Sequence, residues 1–271
     1  MLSILSFTTL SGTGGRLFFR QRVHADVRSL GSCRYVDIRC AVSDCRAALR
    51  ATDWRMAAAC CLEPSGRLLV PVGTQIPVSS GLRRFRPTRY CRRLMENLVL
   101  DVLEHSEKPP AERSIAVYGR EAEVAELLRL LVPLAGRIHV ITRRAYALES
   151  AVNELARQTG ACITLSADMD ARGFDLLLAP SGGAGVIATD GAAVFSPDRP
   201  FDRSALHISS ALPFIPPELD ELGSEYDPLE LCGAFYELGG MNSLGAARPR
   251  CGMSRGTEVS AREICDILDA R

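Results

Sequence analysis

Ser114-Ile115-Ala116-Val117-Tyr118-Gly119-Arg120-Glu121-Ala122-Glu123-Val124 is the stretch on which the fold turns. Its first five residues form an apolar run of strand length. From Glu121 to about Leu131 apolar residues recur at helical spacing. A strand, a glycine turn and a helix in that order are where a dinucleotide-binding fold carries G-x-G-x-x-G. Only Gly119 is kept here. Glu121 stands in place of the second glycine and Val124 in place of the third.

The substitution matters physically. The second glycine lets backbone touch a diphosphate, and the open N–H groups of the helix start then bind it. Glu121 brings a carboxylate to that place, with Glu123 beside it. At ~5 Å and an effective dielectric near 20, one like-charge pair costs about 3 kcal/mol. That is roughly a hundredfold in affinity. The same carboxylates offset the helix macrodipole by ~0.3–1 kcal/mol. The turn therefore reads as a helix start that satisfies itself and takes no phosphate.

Downstream, strand and helix patterns alternate. Arg137–Ile141 reads as a strand, 145–158 as a helix stopped at Gly160, and 161–165 as a short strand. A strong strand follows at 174–179, with a last pair at 185–188 and 192–195. Strands alternating with helices of this length indicate an α/β fold, a parallel sheet wound with helices on both faces. Three pieces carry a family likeness: Ile115-Ala116-Val117-Tyr118-Gly119, then Ile138-His139-Val140-Ile141-Thr142-Arg143-Arg144, then Phe174-Asp175-Leu176-Leu177-Leu178-Ala179-Pro180-Ser181-Gly182. Together they resemble the NAD(P)-binding domain of shikimate dehydrogenases and glutamyl-tRNA reductases, over about a quarter of the chain. The resemblance implies a Rossmann-like domain. It also implies that the second piece ends where NADP's phosphate is held and the third beside the nicotinamide. The first 88 residues show no match to a shikimate-binding domain, and that family's Lys–Asp pair has no counterpart at the expected place.

Candidate binding residues follow. Arg143 and Arg144, after Thr142, lie where NAD enzymes place an acidic residue, and basic residues there suit a 2′-phosphate. If a dinucleotide binds, it is NADP; otherwise no cofactor is expected. Ser181-Gly182-Gly183 follows a buried strand, and its successive N–H groups could form an anion-holding nest. With Gly119, these residues are the candidate site. His139 reads as a core residue, and Asp168, Asp170 and Asp175 suggest at most a weak cation site.

The remaining sequence sets bounds. The chain has 271 residues, is 47% hydrophobic and has zero formal net charge. Zero charge supplies no field to draw it to nucleic acid or anionic lipid. No apolar run reaches the ~18 residues of a spanning helix. The apolar N-terminus with Arg16, Arg20 and Arg22 leaves a transit segment open, although a first strand, a glycine turn at 11–15 and a second strand at 17–23 explain it more simply. Ten cysteines without C-x-x-C, mostly in apolar company, read as buried thiols in a reducing, cytoplasmic compartment.

Four regions are expected: a small α+β domain (1–88), a connecting helix and linker (89–112), the Rossmann-like domain (113–195), and an irregular, then helical, C-terminal region (196–271). Within the first, 43–51 reads as a helix, and 56–62 and 67–72 read as a hairpin about Glu63-Pro64-Ser65-Gly66. Six arginines lie between Arg83 and Arg93, interleaved with Phe85 and Tyr90. This pattern can serve nucleic acid, but with zero net charge an internal partner such as Glu96 or the segment 218–225 is favoured. The leading expectation is a non-catalytic or accessory protein that keeps the fold for interaction with a protein partner or for small-ligand sensing. An NADP-dependent oxidoreductase with an atypical loop, and a nucleic-acid binder, are the alternatives.

Overall fold

The computed structural model describes residues 1–9, 23–42, 53–202, 204–241 and 247–270. In chain order the elements begin with β1 (Leu2–Thr9), β2 (Val23–Leu30), β3 (Cys33–Val42), α1 (Trp54–Cys60), β4 (Arg67–Leu68), β5 (Arg83–Arg84) and α2 (Arg89–His105). Next come β6 (Ser114–Tyr118), α3 (Glu121–Leu131), β7 (Arg137–Ile141), α4 (Glu149–Thr159), β8 (Cys162–Ser166), β9 (Leu176–Leu178), β10 (Gly191–Phe195) and β11 (Ser204–Ile208). The chain ends with β12 (Ser210–Pro213), α5 (Pro217–Asp220), α6 (Pro228–Glu237), β13 (Pro249–Ser254), β14 (Thr257–Val259) and α7 (Ala261–Asp269). The chain divides into two compact units, 1–90 with 215–246, and 91–214 with 247–271. The stretch after 195, which the sequence sets apart as one region, is thus shared between both.

In the first unit, β3 lies between β1, parallel to it, and β2, antiparallel to it. Leu5, Val36, Ile38 and Cys40 from the sheet pack with Ala57 of α1 and with Leu68, Val70 and Leu82. The expected hairpin at 56–72 is not formed. Its turn is present, with Gly66 N–H donating to the Glu63 carbonyl at 2.9 Å. The first arm, however, is helix α1. Asp53 caps it by accepting from Met56 N–H at 3.2 Å, and the alanine run favours helix over strand. The second arm is β4, which pairs in parallel with β5. The expected helix at 43–51, the glycine turn at 11–15 and most of the expected strand at 17–23 lie outside the described residues.

The second unit holds a six-stranded sheet in the order β11-β10-β9-β6-β7-β8, every pair parallel. Counted within the sheet, this is 3-2-1-4-5-6, the doubly wound Rossmann order. The sheet runs on to Ile208, past the expected boundary at 195. Its last strand, Ser-Ala-Leu-His-Ile, has too little apolar periodicity to stand out. Leu176, Leu177 and Leu178 are all buried, as a central parallel strand requires. The expected strand at 185–188 is instead a 3-10 turn, Ala184–Val186.

The two faces are built differently. Right-handed crossovers put α3 and α4 on one face. On the other, Ala116, Ile141, Leu177 and Val194 form one buried cluster with Ala171, Ala179, Ala184 and Ile187. Ala184 and Ile187, at the 3-10 turn, and Ala171 and Ala179, in connecting loops, pack into that cluster. At the amino ends of the strands, Asp175 ties β6 to β9. Its Oδ2 accepts from Ser114 N–H and Oγ–H at 2.9 and 2.7 Å, and Lys108 Nζ lies 3.3 Å from its Oδ1.

Candidate functional site

Three strands that lie side by side in the sheet end in loops that converge. β6 delivers Tyr118 and Gly119, β7 delivers Thr142, Arg143 and Arg144, and β9 leads into Ser181, Gly182 and Gly183. With Arg120 and Glu121 they line one cavity of about 400 Å³. All seven candidate residues from the sequence are in that lining. The cavity sits at the carboxyl edge beside the β6–β9 junction, where the strand order reverses and open α/β sheets hold their ligands. Its volume lies within the ~300–1,000 Å³ of small-molecule sites.

Local packing explains why these residues stand there. A Cβ at Gly119 would meet Val124 Cγ2 at 3.1 Å, so the retained glycine lets β6 turn tightly into α3. Thr142 is buried, and its N–H donates to the Ser166 carbonyl at 3.0 Å, extending the β7–β8 ladder by one residue. That leaves Arg143 and Arg144 exposed just beyond the sheet edge. Gly183 has φ +105° and lies flat against Tyr118, where a Cβ would collide with the ring.

The charges differ from the sequence expectation. Glu123 does not stay with its own helix start. Its Oε2 accepts from Ser181 Oγ at 3.1 Å, and its Oε1 accepts from Arg92 at 2.5 Å. Arg92 Nε also lies 3.4 Å from buried Glu96. Glu123 is therefore paired, and only Glu121 brings a carboxylate to the lining. Against it stand Arg120, Arg143 and Arg144. Three arginines minus one glutamate leave a formal charge of +2. The expectation that both carboxylates charge the turn is corrected for Glu123, which is paired elsewhere, while Glu121 keeps its place at the turn within a lining of net positive charge.

The glycine nest is also corrected. Gly182 N–H donates to the Ala179 carbonyl at 2.9 Å, and Gly183 N–H to Asp198 Oδ2 at 2.5 Å. Both donors are taken from within the chain. The loop supplies space beside Tyr118 instead of an anion cradle.

Other sequence candidates have structural partners. Arg84 grips Glu230 with Nε at 2.8 and 2.9 Å from its two oxygens, and Arg89 lies 3.9 Å from Glu237. Arg93 pairs with Glu96 at 3.2 Å. Glu96 is among the anions the sequence suggested, while Glu230 and Glu237 replace the segment 218–225. Phe85 and Tyr90 are buried, so neither presents a face for base stacking. His139 is half-buried, its Nδ1 2.7 Å from Thr164 Oγ1 and its ring stacked on Phe174 at 5.2 Å. Burial lowers its pKa, partly countered by Asp170 and Asp168. Asp170 is bound by Arg172 and Asp175 by Lys108. No group of three His, Cys, Asp or Glu among the described residues could hold a metal ion. Tyr118 and Arg120 were legible as strand end and loop, but no spacing rule marks them as lining, whereas Glu121 was marked by its place at the second motif glycine. Arg92 lies far away in sequence and is found only through Glu123.

No family model and no curated protein sequence matches the chain. Among solved structures, the ligand-free form of 5-ketofructose reductase of Gluconobacter sp. strain CHM43 aligns over 87% of both chains, at 16% identity and a TM-score of 0.33. The Rossmann-like assignment rests on the strand order.

Proposed function

We propose that this chain is an accessory, ligand-sensing Rossmann-like protein that holds a small phosphorylated molecule at the carboxyl edge of β6, β7 and β9. The cavity with its three arginines and single glutamate carries this reading. Arg143 and Arg144 offer charge-assisted donors to one phosphate. Glu121 stands where a diphosphate would cross the turn and disfavours a full dinucleotide. The ligand class is thus a phosphate monoester with an apolar or planar body that fits beside Tyr118 and Gly183, such as a nucleoside 2′-phosphate.

A second reading follows from the same arginine pair. It occupies the place that takes the 2′-phosphate of NADP in the resembling dehydrogenases, so the site would serve an NADP-dependent oxidoreductase. Calorimetric titration with 2′-AMP, NADPH and NADH separates the two. The first reading expects 2′-AMP to bind, R143A/R144A to weaken it at least tenfold, and NADPH to bind no tighter than 2′-AMP. The loss of one charge-assisted bond, ~1.5 kcal/mol at the low end, already sets that minimum. E121G should then strengthen NADPH selectively. NADPH binding far tighter than 2′-AMP in the unaltered protein would favour the second reading, and no binding of either phosphate would end both.

A further inference from the structure

We propose that β2 is the surface through which two copies of this chain associate, edge to edge and antiparallel about Val27. β2 is the outer strand of its sheet, and among the described residues nothing pairs with its outer side. From His24 to Ser29 every residue is exposed, on both faces of the strand. The adjoining β3 is mostly buried. Natural edge strands are shielded by charged side chains, lysine above all, by proline, by a bulge or by short length. β2 carries Asp26 and Arg28 but no lysine or proline in 23–30, its eight residues exceed the ~5–6 most common for strands, and its ladder to β3 runs unbroken from Val23↔Cys40 to Leu30↔Cys33.

The sequence of the edge chooses the occupant. A two-fold axis normal to a sheet keeps each residue on its own face, so opposed residues must have numbers of equal parity. Among the central registers, one sets Asp26 against Asp26 of the second copy and another sets Arg28 against Arg28, and like charges directly opposed destabilise. The register between them sets Val27 on Val27 and each Asp26 opposite an Arg28. Its charge pattern extends one already present on that face. Arg28 lies 3.1 Å from Asp37 Oδ2, Arg39 pairs with both Asp26 and Asp37, and Ser6 Oγ donates to Asp37 at 2.7 Å. On the other face Val27, 53% exposed, continues the apolar row of its ladder partner Val36. Strand-edge pairing alone buries less than the ~1,200 Å² of a standard interface, so the expected affinity is micromolar.

Sedimentation velocity across the micromolar range tests this. The unaltered chain should show a monomer–dimer equilibrium. V27K should raise the dimer dissociation constant at least tenfold, with far-ultraviolet circular dichroism and thermal unfolding unchanged. V27C under mild oxidation should give a disulfide-linked dimer, mapped by mass spectrometry to position 27 in both copies, whereas A25C should not self-link. Monomer mass at all concentrations, a dimer that V27K leaves intact, or cross-links confined to native cysteines would overturn the proposal.

Discussion

Single side chains decide how this protein responds to acid and to small changes at the cavity. Glu63 is buried, which alone would raise its pKa. Hydrogen bonds from Ser65 Oγ–H and from the Arg67 backbone and guanidinium outweigh burial and hold it down, from 4.5 to about 2. A carboxyl depressed in the folded state stabilises fully above its unfolded pKa, and that stabilisation is lost as pH falls through the folded value. E63Q should therefore lower the unfolding temperature at neutral pH, and the deficit should close between pH 4.5 and about 2. A deficit independent of pH in denaturation series would refute this account. At the cavity, Gly183→Ala sets a methyl against the Tyr118 ring at φ +105°. It should cost about 1–3 kcal/mol or more in chemical denaturation. The seven candidate lining residues were legible one by one, because glycines, two hydroxyl residues and arginines stand directly after strand patterns. Their net charge was not legible. The pairing of Glu123 with Arg92 spans two helices, and no spacing rule joins residues 31 apart.

Elements were readable where local chemistry closes on itself. β6 and β7 have the bounds their apolar runs indicate, and Gly160 ends α4 in the left-handed conformation. Two helix starts follow their caps. Asp227 accepts from Leu229 and Glu230 N–H at 3.0 Å each, and Ser260 with Glu263 completes a capping box. Asp227→Ala should destabilise the first unit by about 1 kcal/mol, measurable as a shifted denaturation midpoint with unchanged slope. Elements failed where a short apolar run had two possible partners. Residues 56–62 are an unbroken apolar run of strand length, but Asp53 supplies a cap and the alanines supply propensity, so α1 forms. Residues 184–186 are apolar enough for a strand, yet they cover the sheet instead of entering it.

For the whole molecule, thiol chemistry gives a direct test of packing. No disulfide joins the described cysteines; Cys33, Cys40, Cys232, Cys251 and Cys265 are buried and Cys162 is exposed. Burial pushes the Cys40 and Cys232 thiols up to about 11, which holds them in the unreactive neutral form. Timed alkylation with mass spectrometry should label Cys162 first and the five buried thiols only after denaturation. Early labelling of Cys40 or Cys232 would contradict the packing of their cores. No helix among the described residues is long and apolar enough to cross a membrane. The sequence by itself determined the alternation of strand and helix from 114 to 166, the loss of two motif glycines and the candidate lining, because each depends on neighbours within a few turns of chain. Only the tertiary structure decided that β11 completes the sheet, that Arg92 neutralises Glu123 and that three loops converge on an open, cationic cavity. Those outcomes depend on which distant segments pack together, and apolar burial, being non-directional, leaves no mark of its partner in the local sequence.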